Sequence, residues 1–215
     1  MKLLDSRRLT GPNLLSDREG AILDVSLAPA EADAAIDTWS REARYLLDAV
    51  GWEREEIAVR QFPGGASLAI SAPIDALYAA TELNEQAWEA ATAAVTGAAS
   101  PDAAAAVKCL CAAIDRERNP ALLALRAAAE ARSVAFLSDD EEVSVGLGIG
   151  SKSWPVNALP RPEEVHWERV HDVPVVLVTA KDQKADKAWG QMLGAKGYIT
   201  KPYTDEQVLT QVRAL

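Results

Sequence analysis

The chain has 215 residues, 49% of them hydrophobic, which is room for one large or two small domains with a buried core and excludes extended disorder. Lys and Arg number 22 against 32 Asp and Glu, and the net charge of -10 argues against a surface dominated by contacts to nucleic-acid or anionic-membrane phosphates. Alanine is unusually abundant and lies mostly between residues 28 and 135, which favours a helical middle.

In chain order, apolar runs at Leu3-Leu4 and Ala21-Ile22-Leu23-Asp24-Val25 predict two strands, separated by the turn signal Gly11-Pro12-Asn13 and the polar stretch 16–20. From 30 to 50, Ala35, Ile36, Trp39, Ala43, Leu46, Leu47 and Val50 recur at helical spacing, and Gly51 stops the helix. Residues 57–62 and 67–71 flank Pro63-Gly64-Gly65 and predict a hairpin whose register stays open. Pro73 opens a helix that runs through Leu77, Leu83 and Trp88 to Gly97. Ser100-Pro101-Asp102 restarts the pattern, and Asn119-Pro120 divides the next stretch into helices over 102–117 and 120–132. Strands over 133–137 and 142–145 come after them, joined by an acidic turn at 138–141.

Residues 146–172 carry Gly146, Gly148, Gly150, Pro155, Pro160 and Pro162 without a sustained apolar period, as expected of a linker. Past it, 174–179 is a continuous β-branched run of the kind that forms a parallel strand buried on both faces. A helix over 182–193, the small-residue stretch 194–197, a strand over 198–200 and a helix over 204–215 complete a β-α-β-α order. Strand, crossover helix and strand of this length form a right-handed parallel unit. Two such strands alone have exposed edges and little core, so they are expected to join the N-terminal sheet or to pair with another chain.

Candidate chemistry is sparse. Cys109 and Cys111 are the only cysteines, and at i, i+2 on a helix they face apart, which suits neither a disulfide nor a shared metal site. The first residues lack the apolar core of a signal peptide, and no stretch reaches the length of a membrane span, so a cytoplasmic protein is expected. Gly146, Gly148 and Gly150 lack the spacing of a dinucleotide or phosphate loop and read as a turn. His166 and His171 read as surface residues, the six tryptophans as packing residues, and 139–142 as a solvated turn. Asp75 and Glu82 read as surface or capping residues.

The last 44 residues resemble the second half of a response-regulator receiver domain. The likeness rests on Val175-Val-Leu-Val-Thr179-Ala180 as a fourth receiver strand, on 181–190 as the helix after it, and on Gly197-Tyr198-Ile-Thr200-Lys201-Pro202 as the fifth strand and its Lys-Pro turn. The resemblance implies that Thr179 and Lys201 contact an aspartyl phosphate and that Tyr198 is the rotating aromatic. A hydroxyl and an ammonium suit phosphoryl oxygens. A receiver's nucleophilic aspartate would stand roughly thirty residues before Thr179, where this chain reads Gly148-Ile149-Gly150-Ser151-Lys152. The same three residues also read simply as parts of an inherited fold.

The first 179 residues resemble the N-terminal region of a Mur-ligase-family protein, similar to cyanophycin synthetases. Asp5-Ser-Arg-Arg-Leu-Thr-Gly-Pro-Asn-Leu-Leu15, Ser71-Ala-Pro-Ile-Asp-Ala-Leu-Tyr78 with Thr81-Glu82, and Gly148-Ile-Gly-Ser-Lys-Ser-Trp-Pro155 carry that likeness. In that family the run ending at Thr179 leads into an ATP phosphate loop, whereas here it leads into Ala180-Lys181-Asp182-Gln183. The chain therefore reads as a chimera, natural or recombined, joined at 174–179.

Together these readings give an α/β protein: a mixed α/β domain over 1–145, a linker over 146–172, and over 173–215 the β-α-β-α half of a flavodoxin-like receiver fold. The expected function is a non-catalytic, signalling-type interaction module without catalytic residues, metal or cofactor. Its receiver-like switch residues would be Thr179, Tyr198 and Lys201. Its partner would be another protein, or a second copy held through the C-terminal half domain, and neither nucleic acid nor membrane. The alternative is a fragment of an ATP-dependent amide-bond ligase that lacks its ATP loop. Charge divides along the same line, since 172–215 hold six basic and five acidic residues.

Overall fold

Along β2 (Gly20–Ser26), Ala21, Leu23 and Val25 point to one face, and all three are fully buried. In this computed structural model, which describes residues 1–11, 13–181, 183–192 and 195–215 without the side chains of Trp189 and Met192, β2 is a central strand of a four-stranded sheet. Its companions are β1 (Lys2–Leu9), β3 (Ile57–Phe62) and β4 (Gly65–Ser71), in the order β1-β2-β4-β3 with every pair antiparallel. Leu23 stands opposite Leu68, Ala21 opposite Ile70 and Val25 opposite Ala66, which makes one face of this central pair apolar. On the other face Asp24 accepts a hydrogen bond from Ser67 Oγ at 2.6 Å and pairs with Arg7 at 2.8 Å. Asp24 is also the chief cause of the raised Arg7 pKa.

Two helices, α1 (Ala32–Ala49) and α2 (Leu77–Thr96), pack on the sheet and on each other. The α1 stripe expected from spacing is buried at Ala35, Ile36, Trp39, Ala43, Leu46 and Leu47. α3 (Ala103–Glu117) packs on α2 and is capped by Asp102, whose carboxylate accepts from the amides of Ala104 and Ala105. This unit, Met1–Pro120, is one of two into which the chain divides.

The second unit is Ala121–Leu215, and α4 (Pro120–Glu130) begins at the division. A small antiparallel sheet is formed by β5 (Phe136–Ser138), β6 (Glu142–Val145) and β7 (Lys152–Pro155) in sequence order. The tail holds β8 (Val176–Thr179), α5 (Lys184–Met192), β9 (Gly197–Thr200) and α6 (Asp205–Arg213). β8 and β9 pair in parallel, as a β-α-β unit requires. The whole is a mixed α/β protein whose two larger sheets are antiparallel. Among the described residues no helix is long and apolar enough to cross a membrane.

The structure corrects several expectations. Pro73 does not open α2. It begins a turn closed by a hydrogen bond from Ala76 N to its carbonyl, and Ala76 has non-helical dihedrals, so the helix starts at Leu77. The hairpin loop is Pro63-Gly64 alone, with Phe62 opposite Gly65. Proline fixes its own φ near -65° and Gly64 has φ +84°, the type II combination that requires glycine at the second position. No strand begins at Ser133, because α4 ends in a reversal that places Ser133 in the left-handed region at φ +54°.

The stretch 146–172 holds β7, three single-turn 3-10 helices at 148–150, 162–164 and 167–169 with buried Val165 and Val170 beside the last two, and a bridge between Leu147 and Asp172. Its glycines answer to close approach: a Cβ on Gly150 would lie 2.4 Å from the His171 carbonyl oxygen. The run 174–179 is not buried on both faces, since Val178 is 43% exposed, and its two-stranded sheet does not join the N-terminal one. Two strands lack the neighbouring strands of a wider sheet, and the short helices beside them leave Val178 open. The ends of the helix expected over 182–193, the adjoining Gly194, and Pro12 of the first turn signal lie outside the described residues.

Candidate functional site

Parallel pairing sets the geometry at the C-terminal ends of β8 and β9. Val176 is opposite Gly197, Leu177 opposite Tyr198, Val178 opposite Ile199 and Thr179 opposite Thr200. Side chains alternate along a strand, so Leu177, Thr179, Tyr198 and Thr200 share one face, and Val176, Val178 and Ile199 share the other. α5 lies on the first face: a Cβ on Gly190 would come within 2.7 Å of Leu177 Cδ1 and 3.2 Å of the Tyr198 ring. Glycine is what lets this helix sit so low. α6 reaches the second face, where Gln211 closes over Gly197.

The three switch-type residues are brought together here. Lys201 N donates to the Thr179 carbonyl at 2.7 Å, which fixes the two residues side by side across the strand ends. The Thr179 hydroxyl accepts from Lys181 N at 3.2 Å, and Tyr198 OH donates to the Lys181 carbonyl at 2.9 Å. Tyr198 is therefore anchored to the loop that leaves Thr179. Lys201 is exposed and makes no ion pair among the described residues. The Lys201-Pro202 peptide is cis. It is the Lys201 backbone amide, not the ammonium, that meets Thr179.

The acidic residues singled out in the sequence lie elsewhere and have other work. Asp139 accepts from the amides of Glu141 and Glu142, both at 2.8 Å, and these hydrogen bonds hold its carboxyl below the usual aspartate range. It closes the β5–β6 turn. Asp75 is buried rather than on the surface, and its carboxylate accepts from Asn119 N at 3.0 Å, just ahead of α4, and not from the first turn of α2. Among the described residues no three of His, Cys, Asp and Glu lie close enough to hold a metal ion. Cys109 and Cys111 are free thiols, both exposed.

A polar pocket of about 520 Å³ between β9 and α6 was not expected from sequence; its lining includes Thr200, Thr204, Gln207 and Gln211. The available clue was Thr204-x-x-Gln207, which forms a reciprocal capping box at the start of α6.

No family model matches the chain. Over 43 residues it is 46% identical to Protein PilH of Pseudomonas aeruginosa, which is 20% of this chain and 36% of that protein. It is likewise 46% identical over 43 residues to Sensory transduction protein RegX3 of Mycobacterium leprae and of Mycobacterium tuberculosis, covering 22% and 19% of those proteins. The chain thus spans about a third of one relative and about a fifth of the others. The rest of the chain has no named relative, and the Mur-ligase likeness finds no support in these comparisons. A short segment of this protein is similar to response-regulator receiver domains.

Proposed function

We propose that the chain is a non-catalytic, signalling-type interaction module of receiver ancestry, and that its half domain at 173–215 binds a second copy or another protein. One observation carries this reading: β8 and β9 form a two-stranded sheet that, with α6, leaves several apolar residues open to solvent. Val178 is 43% exposed, and Leu209 and Val212 on α6 are 53% and 54% exposed. Small parallel sheets are stable when covered on both faces, so an added chain gives these residues the burial that their own chain does not. The partial likeness to receiver domains, and to a protein named for sensory transduction, supports the signalling class. Backbone pairing sets Lys201 next to Thr179 at the strand ends, and the sequence has no aspartate at the phosphoacceptor position.

Sedimentation of the full chain over a wide concentration range tests this, with hydrogen exchange of α6 measured alongside. Association that protects α6 amides, and that Val178→Lys with Val212→Lys abolishes, is expected. A strict monomer whose α6 amides are already protected would overturn the proposal. Incubation with acetyl phosphate and Mg²⁺ is expected to leave no acyl phosphate, and a stable one would restore a working phosphoacceptor. The ligase-fragment alternative rests on the motifs at 5–15, 71–82 and 148–155 alone, and ATP binding at micromolar affinity would be needed to favour it.

A further inference from the structure

The four-stranded sheet ends at β1 on one side and β3 on the other, and the two edges differ. β1 carries Lys2, Asp5, Arg7 and Arg8 and a bulge between Leu3 and Asp5, the devices that keep an edge strand from pairing. β3 has neither bulge nor proline, and its one charge is Arg60. Val59 and Phe62 on it are 38% and 40% exposed.

Register decides which groups β3 offers. Phe62 and Gly65 flank a two-residue loop, and Ser71 N donates to the Glu56 carbonyl at 2.9 Å, so the even-numbered residues of this strand bond to β4. The amides and carbonyls of Ile57, Val59 and Gln61 therefore point outward, and among the described residues none of them has a hydrogen-bond partner. Arg60 has no ion pair or hydrogen bond among the described residues. Glu56, its side chain 66% exposed, meets Arg18 only at 3.8 Å.

A second copy fits this edge. Antiparallel strands related by a two-fold axis pair residues whose numbers add to a constant, and an axis at Ala58 gives every side chain a suitable partner. Ile57 then lies opposite the partner's Val59, and Val59 opposite the partner's Ile57, on the face that holds Leu68 and Ile70. Glu56 and Arg60 lie opposite one another on the other face. The outward amides and carbonyls of Ile57 and Val59 exchange hydrogen bonds. Moving the axis to Val59 sets Ile57 against Gln61 and Glu56 against Phe62, which loses both matches.

We propose that β3 is a dimer edge, where two copies of this chain pair antiparallel about an axis at Ala58 with reciprocal Glu56–Arg60 ion pairs. This interface lies in the first unit and is separate from the association proposed for 173–215.

Disulfide trapping tests the register. Across the axis two Ala58 residues form a non-hydrogen-bonded pair with Cα atoms about 4.5 Å apart, within the span of a disulfide, whereas two Val59 residues lie more than about 7 Å apart, beyond it. In the full chain with the two exposed thiols removed by Cys109→Ser and Cys111→Ser, Ala58→Cys is expected to give a linked dimer on mild oxidation at least about tenfold faster than Val59→Cys. Arg60→Glu or Glu56→Arg, added to Ala58→Cys, should each slow linking about tenfold, and mixing the two charge variants should restore it, because each then meets its opposite. Val178→Lys with Val212→Lys should leave linking unchanged. In the unsubstituted chain, raising the concentration from about 10 μM to about 1 mM should protect the Ile57 and Val59 amides from hydrogen exchange. Val59→Cys linking as fast as Ala58→Cys, charge variants that link as fast alone as mixed, loss of linking with the tail substitutions, or no gain of protection at Ile57 and Val59 would overturn the proposal. Exchange in the unsubstituted chain decides it should a variant misfold.

Discussion

Asn84 is the only asparagine among the fully buried side chains, and its amide joins three elements of the first unit. Trp39 Nε1–H, itself fully buried, donates to Asn84 Oδ1 at 2.9 Å, and Asn84 Nδ2 donates to the Leu68 carbonyl at 3.0 Å. Asn84→Leu keeps a similar volume and removes both partners. The Trp39 N–H is then a buried donor with no acceptor, at about 1–3 kcal/mol. The Leu68 carbonyl loses one donor, a smaller penalty because carbonyls tolerate partial satisfaction better than N–H groups. Added apolar burial offsets about 1 kcal/mol. The expected net loss is therefore about 1–3 kcal/mol, a sizeable share of a typical domain's stability. Urea unfolding followed by tryptophan fluorescence and far-ultraviolet dichroism should show a lower midpoint with an unchanged slope. Trp39→Phe removes the donor as well, so the double variant should be less destabilised than the two single variants summed, by about 1–2 kcal/mol. A loss under about 0.5 kcal/mol for Asn84→Leu, or strict additivity in the cycle, would refute the reasoning.

Two further outcomes rest on named contacts. The first turn of α2 has no side-chain cap of its own; the Glu117 carboxylate, from the end of α3, accepts from Tyr78 N at 2.7 Å and Ala79 N at 2.8 Å. Glu117→Ala should cost about 1–2 kcal/mol in urea unfolding, as loss of a helix cap does, and Glu117→Gln less. The β5–β6 turn should be acid-sensitive through Asp139, whose folded pKa lies below the unfolded one. Its contribution is complete above the ordinary aspartate range and is lost as pH falls through the depressed folded value. Carbon-detected titration of its carboxyl should show a midpoint below that of free aspartate, and a midpoint at or above it would remove the turn-closing role.

Much of the local architecture was legible in the sequence, because it is set by short-range rules. The α1 stripe, the Pro63-Gly64 turn and the β-α-β-α order of the tail each arise from periodicity or turn chemistry within a few residues. What escaped depends on partners far along the chain. Glu117 caps a helix that begins 40 residues earlier, and Asp75 is drawn from its own helix start toward Asn119. Residues 146–172 looked structureless because their order comes from a three-strand pairing and from glycines pressed against His171, neither of which has a hydrophobic period.

The tail shows where local rules end and burial decides. Its β-branched run specifies a strand, its capping box specifies α6, and parallel register brings Thr179 beside Lys201. None of this supplies a core: in the described part of 173–215 the one buried large side chain is Ile199, while Val175, Val178, Tyr203, Leu209, Val212 and Leu215 are exposed. Ordering a residue opposes folding by about 1–2 kcal/mol of backbone entropy alone, and apolar burial is the main term that offsets it. A segment whose apolar side chains stay this open gains more from a covering chain than a closed domain does. The same exposure is what the proposed binding role for 173–215 would relieve, and the association experiment tests that role.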